Sequence, residues 1–147
     1  MSTKLRSGFT LVELLVVIAI IGILSSVVLA SMNTARIKGN DAAIKGELKN
    51  IQAQAQIYRD ENNGYYPSFV DGDPIVDNCA NTEGLMSDTY IINQLAALNG
   101  RFNATTTCMV GTSTYAVSAT LQGGGGWCID FEGNSTSSIA GNDGSCQ

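Results

Sequence analysis

From Phe9 to Ala30 nearly every position is apolar, with no polar face for a water-exposed helix to present. Those 22 residues, at about 1.5 Å of rise each, cross a hydrocarbon layer of roughly 30 Å once. Beyond them the pattern acquires a period. Ile37, Ile44, Ile51 and Tyr58 recur every seven residues, with Leu48 and Ala55 at intermediate positions. They mark one stripe of an amphipathic helix that faces a core. A coiled coil fits less well, because a consistent second apolar row is missing. No proline interrupts Phe9 to Glu61, and Asn62-Asn63-Gly64 supplies a stop. If continuous, that helix is about 80 Å long.

After Glu61 the chain is rich in Gly, Ser, Thr, Asn and Asp, and shorter patterns appear. Ser87 to Asn99 reads as a helix, with Ser87 as N-cap, Gly100 after its end, and Ile91, Ile92, Leu95 and Leu98 on one face. The period then changes to two. Tyr115, Val117, Ala119 and Leu121 alternate with polar residues, as in a half-buried strand. Gly123 to Gly126 is the turn, Trp127 to Phe131 the returning strand, and Thr105 to Val110 a third strand. An isolated hairpin is marginal in water, so this one needs the helix stripe as a cover. The expected class is α+β, an antiparallel sheet on the second half of a long helix.

Charge sharpens the division into two parts. The formal net charge is -5, and Asp60 to Asp143 supply ten acids against the single base Arg101, so the head is not expected to bind nucleic acid. Lys4 and Arg6 precede the apolar run closely, which favours an N-terminus inside and a head outside. The chain has no histidine, and no nucleophile and base pair is visible, so an enzyme is not expected. Cys79, Cys108, Cys128 and Cys146 are dispersed, without a C-x-x-C pair, and read as disulfides in an oxidising compartment rather than a zinc site.

A secretory signal peptide cut before Ser31 would also account for an apolar run, but this one is longer than an ordinary h-region. It also contains Glu13, and a carboxylate that deep costs on the order of 2–3 kcal/mol. Lys4-Leu-Arg-Ser-Gly8-Phe9-Thr-Leu-Val-Glu13 resembles the leader and processing site of type IV prepilins, and the likeness extends to about Ala35. Tyr58 to Pro67 resembles the helix exit of many pilins and major pseudopilins.

The resemblance implies residues 1–8 as a cleaved leader, 9–30 as a membrane and filament-core helix, and 31–147 as a pilin head that begins with helix 31–61. It implies cutting between Gly8 and Phe9 by prepilin peptidase, then methylation of the Phe9 amine. Glu13 then pairs with the Phe9 ammonium of a neighbouring subunit in the filament, a role consistent with the cost of stranding either charge in an apolar medium. Many relatives carry a proline where this chain has Ala30, which leaves Gly22, followed by Ser25-Ser26, as the candidate point of helix melting.

Four cysteines allow three pairings. Cys79 with Cys108 and Cys128 with Cys146, each closing a loop worth roughly 3 kcal/mol, are favoured without closing off the others. The second bond ties down the tail, as pilins often do. Asp71-Gly-Asp-Pro74 and Asp77 offer oxygen ligands, so calcium is conceivable, but no EF-hand spacing is present and no cofactor is expected. Asn103-Ala-Thr105 and Asn134-Ser-Thr136 match the N-glycosylation pattern weakly.

The expected function is a structural subunit of an extracellular filament for adhesion, motility or DNA uptake. Its partners are itself, prepilin peptidase, an inner-membrane assembly platform and, before assembly, membrane lipid. A pseudopilin of a type II secretion system is the alternative. A single-pass membrane protein with a ligand-binding head is a third reading.

Overall fold

A computed structural model describes residues 9–66, 75–77, 79, 84–141 and 144–146. The leader, including Gly8, and the acidic stretch Asp71 to Pro74 lie outside the described residues. The chain forms two compact units, Met1–Arg36 and Ile37–Gln147. Helix α1, Leu11–Glu61, contributes to both. It begins two residues later than expected, because Thr10 caps it, and it runs through Gly22 and Ala30 without a break. It stops where the sequence predicts. Asn63 and Gly64 take the left-handed φ values of 57° and 89°, and the Gly64 amide closes the last turn on the Arg59 carbonyl at 2.8 Å.

In the second unit a five-stranded antiparallel meander follows, in the order β1 (Ile75–Asp77), β2 (Thr106–Val110), β3 (Tyr115–Thr120), β4 (Gly126–Asp130) and β5 (Ser135–Thr136). The short edge strands β1 and β5 had no signal in the hydropathy pattern. Register places Cys108 opposite Val117 and Val117 opposite Ile129, so these three side chains share one face of the sheet. That face joins Ile44, Leu48, Ile51 and Ala55 of α1 in a single core, so the stripe packs as the heptad-like spacing predicts. Its two ends, Ile37 and Tyr58, are only half-buried.

Helix α2, Thr89–Phe102, differs from expectation at both ends. Its N-cap is Asp88, whose carboxylate accepts the amides of Tyr90 and Ile91 at 2.8 and 3.1 Å; Ser87 instead donates to Gly84 in the preceding 3₁₀ turn, Gly84–Ser87. Gly100 does not end the helix. Burying Phe102 is worth about 2–3 kcal/mol, more than the roughly 1 kcal/mol cost of an internal glycine, so α2 continues until Asn103 caps it at φ 52°. The buried face is Ile91, Leu95, Leu98 and Phe102, spaced by four, three and four; Ile92 falls off that face and is 44% exposed.

Strand β3 is buried on both faces, against the expectation of a half-buried strand. Met109, Ala116 and Cys128 form a second apolar cluster on the far side of the sheet, covered by Ala140 and Cys146 of the tail. Tyr66 supplies apolar bulk at the helix exit; its ring meets Tyr115 edge-on at 5.0 Å, while Tyr65 is exposed. The β3–β4 turn is fastened to α1 by the Asp41 carboxylate, which accepts the amides of Gln122 at 2.7 Å and Gly123 at 3.2 Å. A side chain at Gly123 would meet Asp41 Oδ2 at 2.7 Å, so any larger residue there would push that carboxylate aside.

Candidate functional site

The first unit has almost no packing of its own. Sixteen large apolar side chains between Phe9 and Met32 are all at least 46% exposed, Leu11 reaching 79% and Val17 the least. A helix apolar on every side requires an apolar surrounding, whether lipid or the helices of other chains. The segment is long and apolar enough to cross a membrane.

At its head the residues form a reciprocal cap. Glu13 Oε2 accepts the Thr10 amide at 2.9 Å and the Thr10 hydroxyl at 2.7 Å, and the Glu13 amide donates to Thr10 Oγ1 at 3.3 Å. This is a capping box, which satisfies donors that the first turn of any helix leaves open. The negative carboxylate also sits at the positive end of the helix dipole. Thr10 was missed by the sequence reading although Thr-x-x-Glu before an apolar run is a readable signal. The box holds Glu13 against Thr10, with one carboxylate oxygen engaged. Phe9 is 77% exposed.

Farther along, Gly22 lies inside uninterrupted helix, with open space where a side chain would be. The Ser26 hydroxyl returns to the Ile23 carbonyl at 2.8 Å, satisfying itself within the helix.

In the second unit the cysteines are joined as Cys79–Cys108 and Cys128–Cys146, 29 and 18 residues apart in sequence. Cys108 belongs to the core facing α1 and Cys128 to the cluster on the far face, so one bond fastens each side of the sheet. Lys45 lies over the Trp127 ring at 4.2 Å, which joins α1 to β4 by a cation–π contact. Burial pushes the Tyr66 and Tyr115 hydroxyls above the usual tyrosine range, and the nearby Arg59 guanidinium partly offsets this for Tyr66. Among the described residues no group of three or more His, Cys, Asp or Glu could hold a metal. The carboxamide of Asn134 is bonded to Asp130 and Glu132, whereas Asn103 is exposed at its helix cap.

The family model described as Prokaryotic N-terminal methylation motif matches residues 3–29. The chain is 41% identical over 58 residues to Type IV wide pilus major component PilA4 of Thermus thermophilus, covering 40% of this chain and 44% of that one. It is 35% identical over 72 residues to Type II secretion system core protein G of Pseudomonas aeruginosa, covering 49% and 50%. The chain thus spans half or less of the length of these curated relatives. No solved structure matches. The match to the N-terminal methylation motif and the partial identity to these two proteins therefore make this chain similar to type IV pilins and type II secretion pseudopilins.

Proposed function

We propose that the chain is a prepilin. It is inserted once in the inner membrane with its head outside, cut between Gly8 and Phe9 by prepilin peptidase, methylated on the Phe9 amine and assembled through α1 into an extracellular filament. One observation carries this reading: an apolar helix exposed on all sides, with a carboxylate held at its first turn. Lipid surrounds that helix before assembly and neighbouring copies surround it afterwards. The Thr10 contacts engage Oε2 of Glu13 and leave its other oxygen to receive the Phe9 ammonium of a neighbour, so that each incoming helix stops at one register.

The role is structural rather than enzymatic, as the names of both relatives suggest. Two disulfides and a polar head suit long exposure outside the cell and favour a pilin. A pseudopilin is the second reading, favoured by the 72-residue likeness to core protein G. Surface fibres that contain the chain support the first, and loss of protein secretion on deletion with no surface fibre supports the second.

The test of assembly is Glu13→Ala expressed beside the wild-type chain. Mass spectrometry should find both cut at Gly8-Phe9 and methylated, with the variant depleted in fibres. Equal incorporation removes the role of Glu13. A mature protein that starts at Met1 or at Ser31 removes the assembly reading altogether.

A further inference from the structure

Asp130 is 1% exposed, yet it belongs to neither the core nor the assembly helix. Its carboxylate is met by N–H dipoles. Oδ1 accepts the amides of Glu132 at 3.1 Å and Asn134 at 2.9 Å, the geometry of a turn closed by its own aspartate. Oδ2 accepts the Asn134 carboxamide at 3.0 Å and, from 16 residues away, the amide of Cys146 at 3.3 Å. Cys146 is bonded to Cys128, two residues before Asp130. From the helix side, Gln52 of α1 donates to the carbonyls of Asp130 and Asn134 at 3.2 and 3.1 Å.

The order of these contacts matters. The turn at 130–134 is closed by Asp130 and anchored by Gln52, and neither contact uses a cysteine. The tail has its own turn as well, with the Gly141 amide on the Ser145 carbonyl at 2.8 Å and a bridge between Ala140 and Cys146. None of the hydrogen bonds within the turn or within the tail passes through a sulfur, and the Cys146 amide is a link between the two that does not need one either.

We infer that Asp130 is a positioning residue for disulfide formation: its carboxylate docks the amide of Cys146 and thereby selects Cys128 as that cysteine's partner. The oxidant is a small-molecule or protein disulfide of the extracytoplasmic space. Cys146, half-exposed, attacks it as thiolate and forms a mixed disulfide, releasing one thiolate. Buried Cys128 then attacks the Cys146 sulfur as thiolate, the protein bond forms and the second thiolate leaves. Two protein thiols lose two electrons and two protons, and the oxidant is reduced to two thiols.

The full chain, reduced in detergent micelles and reoxidised in a glutathione buffer, tests this by mass-spectrometric mapping of its bonds. Asp130→Asn keeps the shape but replaces an acceptor with a donor. The Cys128–Cys146 equilibrium constant should fall by about tenfold, the size expected for a lost charge-assisted hydrogen bond. Cys79–Cys108 should change by less than about twofold, as expected of a distant, independent site. No change at either bond, or an equal fall at both, overturns the inference. A second measurement uses Cys128→Ser, which prevents formation of the native bond. Its Cys146 amide should exchange hydrogen at least about tenfold more slowly than an unstructured amide and lose that protection when Asp130→Asn is added. Unprotected exchange in Cys128→Ser overturns the inference as well.

Discussion

The two units of this molecule use apolar residues in opposite ways. Between Phe9 and Met32 every large apolar side chain is at least 46% exposed, whereas in the head Ile44, Leu48, Ile51, Leu98, Val117 and Ile129 are all fully buried. Both segments of α1 are helical, but only the second owes its packing to residues of its own chain. The head completes its core internally, while the apolar segment has to take an apolar surrounding from outside its own chain. A substitution in one unit should therefore leave the other unit's stability alone, which is a division that experiment can break.

The largest effects are expected in the head. Replacing Cys128 and Cys146 together by serine should lower its stability by about 3–4 kcal/mol in thermal or denaturant unfolding of the full chain in micelles. Leu48→Ala should cost about 3 kcal/mol by leaving a cavity between helix and sheet. Leu15→Ala is the matched control in the apolar segment. It should shift head unfolding by less than about 0.5 kcal/mol. A loss at Leu15 comparable with that at Leu48 would erase the contrast.

Alkaline pH comes next. The tyrosine hydroxyls of Tyr66 and Tyr115 ionise less readily in the folded head than in the unfolded chain. Their contribution is complete below the ordinary tyrosine value near 10 and is lost as pH rises through the higher folded-state values. Above pH 10 stability should fall with a slope approaching about 1.4 kcal/mol per pH unit for each buried tyrosine. Tyr115→Phe should flatten that slope, as read from unfolding midpoints between pH 9 and about 12, a range set by the tyrosine value. An unchanged slope would exclude Tyr115 as its source.

Smaller effects probe single contacts. Asp88→Ala removes the α2 cap and should cost about 1 kcal/mol, whereas Ser87→Ala, at the residue the sequence pattern favoured, should cost less. Lys45→Ala should cost about 0.5 kcal/mol through its contact with Trp127. Chemical denaturation resolves both. A larger loss at Ser87 than at Asp88 would contradict the cap seen here.

Much of the fold is legible in the chain where period and punctuation agree. The stripe of α1 and its stop at Asn62-Asn63-Gly64 are examples, because both depend on local geometry. The same rules failed at α2. Ser87 and Asp88 are both good caps, and only the 3₁₀ turn that occupies the Ser87 hydroxyl decides between them. Gly100 is a common stop, overridden by burial of Phe102 against residues far away in sequence. Alternation in β3 suggested one wet face, but a tail with little hydropathy signal covers it. At the candidate site, Gly8-Phe9 and Glu13 were readable as a motif, while the partnership of Thr10 with Glu13 was readable but missed.

By itself the sequence determined the division of the chain: an apolar run with one acid, a striped helix, a polar head with four cysteines. Those features are set by which residues water tolerates, a property each residue carries with it. Tertiary structure decided which cysteines meet, that their bonds lie on opposite sides of the sheet, and that Asp130 holds the tail to β4. These depend on contacts between residues far apart in the chain, whose proximity no local pattern encodes. The apolar helix stands between the two cases, because its sequence dictates that it must be covered and its own fold does not cover it.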